Sequence, residues 1–364
     1  MTAPQPFPDR IRRAFSQALA DGAFPGAVLL VQHGGRQRWQ AAGGVADLAT
    51  GEAVRADTCF DLASLTKPLC TTLAVMHLIQ SDRLSLEDRL GDVAEVFAPS
   101  EKAGIRIRQL LSHQSGFPAW RPYFEILRRQ PPAARGRLWR QMLADEPLAY
   151  RPGEQTLYSD LDFMALQIVV EAQAGQRLDQ YAARELYQPM GLRDLFFTDT
   201  ALPPLPRSFA ATEQCPWRGR VLKGHVHDDN AFALGGVAGH AGLFGTAAAV
   251  ADLLDLLLAA VKRPQPDQVL DAAQLRRFFQ RQPSSDWTLG FDTPAATGSS
   301  SGRHFSASTV GHLGFTGTSF WRDLDREGFV VLLTNRIHPS RTNEGIKAFR
   351  PLIHDRIMEV LGYG

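Results

Sequence analysis

Stretches typical of β-strands lie at the two ends of this 364-residue chain, and stretches typical of helices lie between them. Residues 26–32 and 37–42 are two strand-like runs separated by Gly34-Gly35, which is a hairpin signal. Residues 318–324 and 328–334 form a second strand-like pair near the C-terminus. The simplest topology therefore joins the strands of both ends in one sheet. We predict an α+β fold with an antiparallel sheet flanked by helices and a mainly helical insertion.

This order predicts two parts in the folded chain. Residues 1–62 and 285–364 would form a discontinuous α/β sheet domain, and residues 63–284 a mainly helical domain. The helical part includes a long, Gly-rich and irregular segment, 217–245, and loops of that length are often functional. A binding cleft would lie between the two parts, where pockets prefer to form.

Composition excludes several classes of function. Lys+Arg 39 against Asp+Glu 38 gives a net charge of +1, so we expect no nucleic acid partner and no acidic membrane surface. No stretch approaches the roughly 18 apolar residues of a membrane span, and residues 1–10 lack the apolar core of a signal peptide. The three cysteines, Cys59, Cys70 and Cys215, are widely spaced and form no metal pattern. They fit a reducing compartment, and we predict a cytoplasmic protein without a membrane anchor.

A candidate nucleophile stands where a helix-periodic run begins, in Ser64-Leu-Thr-Lys67. Residues three apart share one face of a helix, so the Ser64 hydroxyl and the Lys67 amine can touch. The amine can act as a base if burial or nearby positive charge lowers its pKa. Free N–H groups at a helix start can also face a developing oxyanion. The spacing alone is common, and its plainer explanation is an N-capping serine beside a solvated lysine.

Tyr158-Ser159-Asp160 offers partners for that pair at a junction between a loop and a helix. A phenol near positive charge can pass protons, and a carboxylate can accept hydrogen bonds from Lys67 or from a substrate. The structural alternative makes Asp160 an N-cap and Tyr158 a packed aromatic residue.

A third candidate is the segment Gly311-His-Leu-Gly-Phe-Thr-Gly-Thr318, which runs into a strand. Its glycines let the backbone approach a ligand, and a following N–H can complete an oxyanion hole with the N–H of Ser64. His312 and Thr316 offer side-chain donors. The alternative is a Gly-rich strand start with a satisfied histidine.

These three motifs, in this order, resemble those of the serine β-lactamase and penicillin-binding-protein superfamily, and most of all its class C-like branch. That branch includes class C β-lactamases, D-Ala-D-Ala carboxypeptidases, D-aminopeptidases, β-lactamase-type esterases and a muramyl-L-alanine amidase. Further segments that resemble this branch are Leu110–Gly116, Val226–Ala231, Leu234–Phe244 and Thr334–Pro339. The resemblance covers roughly residues 10–360, and several ordered motifs are far more specific than one.

The resemblance implies a β-lactamase/transpeptidase-like fold and an acyl-enzyme mechanism. Ser64 would be the nucleophile, Lys67 the base and Tyr158 the proton relay, while the N–H groups of Ser64 and Thr318 would form the oxyanion hole. It implies no metal and no organic cofactor.

Two residues depart from the pattern of that superfamily. β-Lactamases and DD-peptidases usually have Lys-Thr-Gly where this chain has Phe315-Thr316-Gly317. Phenylalanine cannot bind a substrate carboxylate, and the neutral imidazole of His312 would be a weaker partner for one. Asp160 stands in place of asparagine, and its carboxylate would favour an amine or a polar neutral group. Both changes favour an esterase, or an amidase or peptidase acting on cell-wall-derived peptides, over a β-lactamase.

The loop 217–245 contains a second possible chemistry. His225, His227, Asp228 and His240 are residue types that suit zinc, so a metal-dependent hydrolase is one alternative. The Ser64, Lys67 and Tyr158 set is complete without a metal, however, and we predict none. His227 and His240 are expected to line the cleft and contact substrate, or else to be structural.

We therefore predict a serine hydrolase that forms an acyl-Ser64 intermediate on a small ester or amide, or on a muropeptide-like substrate. Asp160, His312, Phe315, Thr316, Gly317, His227 and His240 are the expected substrate-binding residues. The alternatives are a class C-like β-lactamase or DD-carboxypeptidase, the metal-dependent hydrolase, and a non-catalytic penicillin-recognising module. An α/β-hydrolase is disfavoured because no Gly-x-Ser-x-Gly is present. The sequence leaves the oligomeric state open.

Overall fold

The computed structural model describes residues 7–34, 37–265, 268–283 and 285–364. Residues 1–6 and Gly35, on which parts of the signal-peptide and hairpin predictions rest, lie outside the described residues. The strands in chain order are β1 (Gly26–His33), β2 (Gln37–Asp47), β3 (Glu52–Ala53), β4 (Phe60–Asp61), β5 (Leu195–Phe197), β6 (Gln214–Cys215), β7 (Arg220–Val221), β8 (Leu243–Gly245), β9 (Val310–Leu313), β10 (Ser319–Asp323) and β11 (Gly328–Thr334).

The α-helices in chain order are α1 (Asp9–Ala20), α2 (Thr72–Gln80), α3 (Leu90–Val93), α4 (Ile107–Leu111), α5 (Tyr123–Leu127), α6 (Pro132–Asp145), α7 (Asp160–Ala174), α8 (Leu178–Tyr181), α9 (Asp229–Ala233), α10 (Ala247–Lys262), α11 (Ala272–Phe278) and α12 (Gly345–Val360). Short 3₁₀ turns cover Ala63–Leu65 and Glu95–Phe97, and π-helical turns cover Lys67–Thr71 and Ala182–Tyr187. No helix in these described ranges is long and apolar enough to cross a bilayer.

One six-stranded antiparallel sheet joins the two ends of the chain, in the order β3-β2-β1-β11-β10-β9. The pairing of β1 with β11 links residues from opposite ends of the chain, as in the register of Ala27 with Thr334. The prediction of an antiparallel sheet built from both ends of the chain is therefore confirmed.

The central strand β1 is buried on both faces, which explains its unbroken apolar sequence. Val28 and Leu30 point into the larger core, which they share with the helices of the middle of the chain. Leu29 and Val31 point to the opposite face, where α1 and α12 cover the sheet with a second core. Neighbouring residues of a strand face opposite sides, so one strand serves both layers.

The helical part packs around α7, whose middle is buried on nearly all sides. Ser159 caps its first turn by accepting hydrogen bonds from the N–H groups of Leu161 and Asp162, and Gly175 ends it in the left-handed conformation. The segment 217–245 is less irregular than predicted, because it contains β7, α9 and β8. β9, a four-residue strand at the sheet edge, overlaps the Gly-rich strand start that was the alternative for Gly311–Thr318, whereas α11 was not predicted. The division into domains at 62/63 and 284/285 stays a prediction.

Candidate active site

Ser64 lies where the chain turns from β4 towards α2, at the edge of a cleft of about 660 Å³. The turn is tighter than the regular helix start that the sequence predicts. Ala63 has a positive φ of 49°, a 3₁₀ turn covers Ala63–Leu65, and a π-helical turn follows from Lys67. Pro68 has no N–H to donate to the carbonyl of Ser64, which explains why α2 becomes regular only at Thr72. The sharp turn brings the Ser64 side chain to the cleft.

Lys67 lies beneath Ser64 and is fully buried. Its Nζ donates hydrogen bonds over 3.0 Å to Ser64 Oγ, over 2.7 Å to Tyr158 Oη and over 2.7 Å to Asp160 Oδ1. The main-chain carbonyl of His240 accepts a fourth contact at 3.2 Å. An amine among four acceptors is arranged as an ammonium ion, which has three hydrogens to donate.

The pKa values around Lys67 agree with that arrangement. Burial acts to lower the pKa of the Lys67 amine, but the Asp160 carboxylate and the Tyr158 phenol outweigh burial and raise it. Burial raises the pKa of Tyr158, against the opposing effect of the Lys67 charge. At rest, the site thus holds an ammonium ion and a neutral phenol. The sequence led us to expect an amine with a lowered pKa; the carboxylate of Asp160 is the reason for the difference.

Asp160 is free to face Lys67 because it is not the cap of α7. Ser159 takes that position, and its hydroxyl also donates to the carbonyl of Pro118. The side chain of Asp160 lines the cleft and is about one-fifth exposed, at 18%. Of the two alternatives for this motif, the geometry thus favours contact with Lys67 over capping.

The turn between β9 and β10 is tied to the segment just before Ser64. Thr316 Oγ1 donates to the carbonyl of Asp61 over 2.7 Å, and Thr318 Oγ1 donates to that of Leu62 over 3.0 Å. Both hydroxyls are thus used inside the protein, and neither Thr316 nor Thr318 lines the cleft. These two bonds tie the turn to the two residues before Ala63, and an oxyanion hole made by the N–H groups of Ser64 and Thr318 stays a prediction.

Glycines make this close approach possible. A Cβ on Gly314 would come within 2.0 Å of Thr318 Oγ1, and one on Gly317 within 2.1 Å of Thr334 Oγ1. Gly317 also has a positive φ of 109°. Gly317 does not line the cleft, so its role here is to shape the turn.

His312 lies on β9 and lines the cleft opposite Tyr158, with its ring centroid 5.9 Å from that of the tyrosine. Its Nδ1 is 2.8 Å from the carbonyl of Leu313. Burial and the charge of Lys67 lower the pKa of His312 to about 3, so the imidazole is neutral at pH 7. The prediction of a neutral imidazole at position 312 agrees with this lowered pKa.

Phe315 forms part of the cleft rim with a half-exposed ring, at 48%. One face of the ring stacks on His227 at 5.7 Å between centroids, and the Arg336 guanidinium carbon lies 4.8 Å from the ring centre. His227 is in turn fixed by Glu213, whose Oε2 lies 2.9 Å from Nε2. The structure thus brings Phe315 and His227 together in one aromatic wall.

His240 and Asp228 form a second pair in the cleft, with His240 Nε2 2.9 Å from Asp228 Oδ1. Burial would raise the pKa of Asp228, but His240 and the N–H of Ala231 outweigh it, so the pKa lies well below its usual range. Among the described residues, one group of three could hold a metal ion, and it consists of Asp160, Asp228 and His240. His225 and His227 are not part of it; His225 Nε2 contacts the carbonyl of Leu202 instead.

Three arginines in the cleft were not found from the sequence. Arg341 is paired with Glu213, but Arg336 and Arg350 have no carboxylate within 4.0 Å in the described part of the chain. Arg336 donates to the carbonyl of Phe315, and Arg350 Nη2 donates to that of Thr318 over 2.8 Å. Burial and the charge of Arg336 lower the pKa of Arg350 to about 9, which leaves it cationic at pH 7.

Aromatic and acidic residues complete the lining. Trp287 stacks on Tyr158 with centroids 5.4 Å apart, and Trp120 lies in the cleft wall with an exposed ring. Asp292 also faces the cleft, and burial raises the pKa of its carboxyl to about 7. No local motif surrounds Trp287, Asp292 or Arg350 in the sequence, so only the fold could identify them.

Comparison with known proteins identifies the family to which this chain belongs. Residues 11–352 match the family model described as Beta-lactamase, so the chain belongs to the Beta-lactamase family. This confirms the resemblance found in the sequence.

Two curated relatives and one solved structure are similar over most of the chain. A putative D-alanyl-D-alanine carboxypeptidase of Escherichia coli O157:H7 is 31% identical over 354 residues, covering 87% of this chain and 80% of that protein. The N-acetylmuramyl-L-alanine amidase of Bacillus subtilis (strain 168) is 32% identical over 352 residues, covering 86% and 78%. The structure of EstCE1, a hydrolase with promiscuous acyltransferase activity, superposes with a TM-score of 0.72 at 22% identity, covering 94% and 97%. This likeness confirms the predicted fold class.

Proposed function

We propose that this protein is a serine hydrolase that forms an acyl-Ser64 ester on an amide or ester substrate, with cell-wall-derived peptides as the physiological class. One observation carries the proposal: the buried Lys67 amine contacts Ser64 Oγ and Tyr158 Oη together, at the floor of a cleft large enough for a peptide fragment. A hydroxyl nucleophile needs such a neighbouring base, and the base needs a route for its proton.

Acylation starts from the Lys67 ammonium ion and the Asp160 carboxylate. Nζ must first lose one proton, which leaves to water in the cleft by way of the partly exposed Asp160 carboxylate, 2.7 Å away. The neutral amine then takes the proton of Ser64 as Oγ attacks the substrate carbonyl carbon. The N–H groups of Ser64 and Thr318 receive the oxyanion.

Collapse of the tetrahedral intermediate needs a proton on the leaving group. Tyr158 donates its proton to the departing nitrogen or oxygen and takes the one that Lys67 received from Ser64. The bond from the carbonyl carbon to the leaving group breaks, and the acyl-Ser64 ester remains. Water then attacks this ester and gives a proton to the neutral Lys67 amine. The bond from the carbonyl carbon to Oγ breaks, Lys67 returns that proton to Oγ, and the free acid and Ser64 are released.

The arginines of the cleft bear on the substrate class. The sequence has Phe315 where related enzymes have a lysine that helps to bind a substrate carboxylate. Arg336 and Arg350 carry two buried positive charges behind the turn between β9 and β10. Neither arginine has a carboxylate partner among the described residues. They supply the charge that Phe315 lacks, which keeps a DD-carboxypeptidase as the second candidate. The names of the two curated relatives agree with a peptide from the cell wall.

A metal-dependent hydrolase is less well supported. The one metal-compatible group in the described ranges shares Asp160 with Lys67, so an ion would compete with the ammonium for the same carboxylate. His225 and His227 are directed to other partners.

We also propose a cytoplasmic location. The three cysteines are buried and unpaired, as is usual for proteins of a reducing compartment.

The test combines labelling with turnover. A fluorophosphonate should add one phosphonyl group to Ser64 in the intact protein, as found by mass spectrometry of peptides. Ser64→Ala should lose both the label and hydrolysis of p-nitrophenyl esters, whereas Ser81→Ala, at the exposed end of α2, should keep both. Unchanged ester turnover in Ser64→Ala would refute the proposal. Parallel assays with muramyl peptides, D-Ala-D-Ala peptides and a chromogenic cephalosporin would define the substrate.

A further inference from the structure

A chain of buried polar side chains lies directly behind Tyr158. It joins the end of α4 to the start of α7 and consists of His113, Ser115 and Asp162, all three buried and none of them lining the cleft. His113 has a positive φ of 58°, which is uncommon for a residue other than glycine. The conformation and the burial are costly, so this chain is expected to serve the site in front of it.

His113 holds the main chain on both sides of Tyr158. The carbonyl of His113 accepts a hydrogen bond from the N–H of Leu157 over 2.9 Å, and its Nδ1 accepts one from the N–H of Ser159 over 3.2 Å. Its ring also contacts the Tyr158 ring, with centroids 4.8 Å apart. The position of the phenol therefore depends on the histidine.

The hydrogen bonds around His113 also locate a proton on Asp162. Nδ1 accepts from the Ser159 N–H, which favours the tautomer with the ring hydrogen on Nε2. Asp162 Oδ2 lies 2.9 Å from the same nitrogen, and in this tautomer the hydrogen of that contact comes from the carboxyl group. The single lone pair of Nδ1 is then shared by two donors, and Nε2 has no hydrogen-bond partner among the described residues.

The other oxygen of Asp162 is consistent with a neutral acid. Ser115 Oγ accepts from the N–H of Phe117 over 3.0 Å, so its own hydrogen is donated to Asp162 Oδ1. One carboxyl oxygen thus accepts and the other donates. Burial also raises the pKa of Asp162 well above its usual range and lowers the pKa of His113 well below its own.

A charged Asp162 would work against the mechanism proposed above. Lys67 already faces the carboxylate of Asp160, and a second negative charge nearby would hold its proton more firmly. A neutral carboxyl can bind the histidine without this effect.

We propose that His113 and a protonated Asp162 form a neutral buried pair that positions Tyr158 against Lys67 without adding a second negative charge beside the amine. The role in catalysis rests on the proposed function; the protonation of Asp162 does not. His113 and Asp162 are positioning residues, since neither touches the substrate cleft.

The protonation is tested by infrared difference spectroscopy at pH 8.5, above the pKa of about 7 of Asp292. The spectrum of the wild type minus that of Asp162→Asn should contain the carbonyl stretch of a protonated carboxylic acid, shifted in D₂O. Asparagine preserves both hydrogen bonds, because its amide donates to Nδ1 and its carbonyl accepts from Ser115. A carboxylate band in place of the acid band would overturn the inference, whatever the result of the Ser64 experiment.

The positioning role is tested by the kinetics of the same protein. Asp162→Asn should keep the acid limb of its pH–rate profile, whereas removal of an ionised carboxylate would move that limb to lower pH. His113→Ala should lower kcat by about 10- to 100-fold with little change in KM, because misplacing a catalytic group by a fraction of an ångström has effects of this size. His113→Asn keeps an acceptor in place of Nδ1 and tolerates the positive φ, so it should recover most of the loss.

Each outcome has a separate meaning. Full kcat in His113→Ala would refute the positioning role. If that variant does not fold, the acid limb of Asp162→Asn decides alone, and a shift of that limb would refute the proposal. If Ser64→Ala keeps its ester turnover, the catalytic role fails with the proposed function, while the infrared result for Asp162 stands.

Discussion

The carboxylate of Asp160 faces the amine of Lys67 at 2.7 Å, and this contact sets the resting charge of the candidate active site. Burial would lower the pKa of Lys67, yet Asp160 and Tyr158 together raise it. The amine must lose a proton before it can accept one from Ser64. Asp160 therefore controls the pH at which the nucleophile is activated.

Asp160→Asn is expected to move the acid limb of the pH–rate profile to lower pH. Without the carboxylate, burial becomes the main influence and lowers the pKa of Lys67, so more of the amine is neutral at any given pH. We expect a shift of about one unit or more, measured as kcat/KM for a neutral p-nitrophenyl ester. Asparagine retains an oxygen that can accept from Nζ, so the geometry is kept.

The matched control for that variant is Asp145→Asn, an exposed residue at the end of α6. It should leave the profile unchanged. An acid limb at the same pH in Asp160→Asn and the wild type would show that Asp160 does not control the protonation of Lys67.

Tyr158→Phe is expected to affect amides more than activated esters. The hydroxyl lies 2.7 Å from Lys67 Nζ, and it is the group proposed to protonate the leaving group. An amine cannot leave without a proton, whereas p-nitrophenolate can. We expect kcat for a peptide amide to fall by about 100-fold or more, which is the usual contribution of a positioned acid.

The ester assay is the internal control for this variant. Loss of the same factor for p-nitrophenyl ester and amide would assign Tyr158 to activation of Ser64 and not to leaving-group protonation. A phenylalanine at 158 keeps the stack on Trp287, so the packing of the ring should not change.

The sheet was predictable because its strands have a strong local pattern. The unbroken apolar run of β1 requires burial on both faces, and only pairing with the C-terminal strands provides that. The motifs around Ser64, Tyr158 and Thr318 were also predictable, because each chemistry needs a particular residue type at a particular spacing.

The remaining features depend on contacts between distant residues. The raised pKa of Lys67 depends on Asp160 reaching the amine, which requires Ser159, and not Asp160, to cap α7. Arg350 stands in an ordinary helical stretch, and only the docking of α12 on the sheet places it behind the β9–β10 turn. Thr316 was predicted as a substrate contact from its position in the motif, whereas its hydroxyl is used by the carbonyl of Asp61. No pattern in the local sequence predicts these contacts between distant residues.

Arg350 is expected to select substrates with a carboxylate. Its buried guanidinium has main-chain carbonyls but, among the described residues, no carboxylate as partners. Arg350→Met should raise KM for a peptide with a free C-terminal carboxylate by about 10-fold or more, as expected for loss of a charge-assisted hydrogen bond. The same variant should leave KM for the methyl ester of that peptide nearly unchanged.

Arg350→Lys is the matched variant, since it keeps a positive charge on a different head group. It should recover part of the discrimination between the acid and its methyl ester. An equal rise of KM for both substrates in Arg350→Met would indicate a change in the shape of the turn and would contradict a role in carboxylate recognition.

Asp292 is expected to make stability depend on pH across the neutral range. Burial raises the pKa of its carboxyl to about 7 in the folded protein, against an ordinary value of 3.8. Between these values the folded state binds more protons than the unfolded state, so the free energy of unfolding falls as the pH rises. Asp292→Asn has no such proton to lose. Its free energy of unfolding should exceed that of the wild type by an amount that grows from pH 5 to about pH 7 and then levels off.

Urea unfolding at several pH values measures this difference, with Asp325→Asn, an exposed residue after β10, as the control. A difference that stays constant from pH 5 to about pH 8 would show that the Asp292 carboxyl does not titrate in this range.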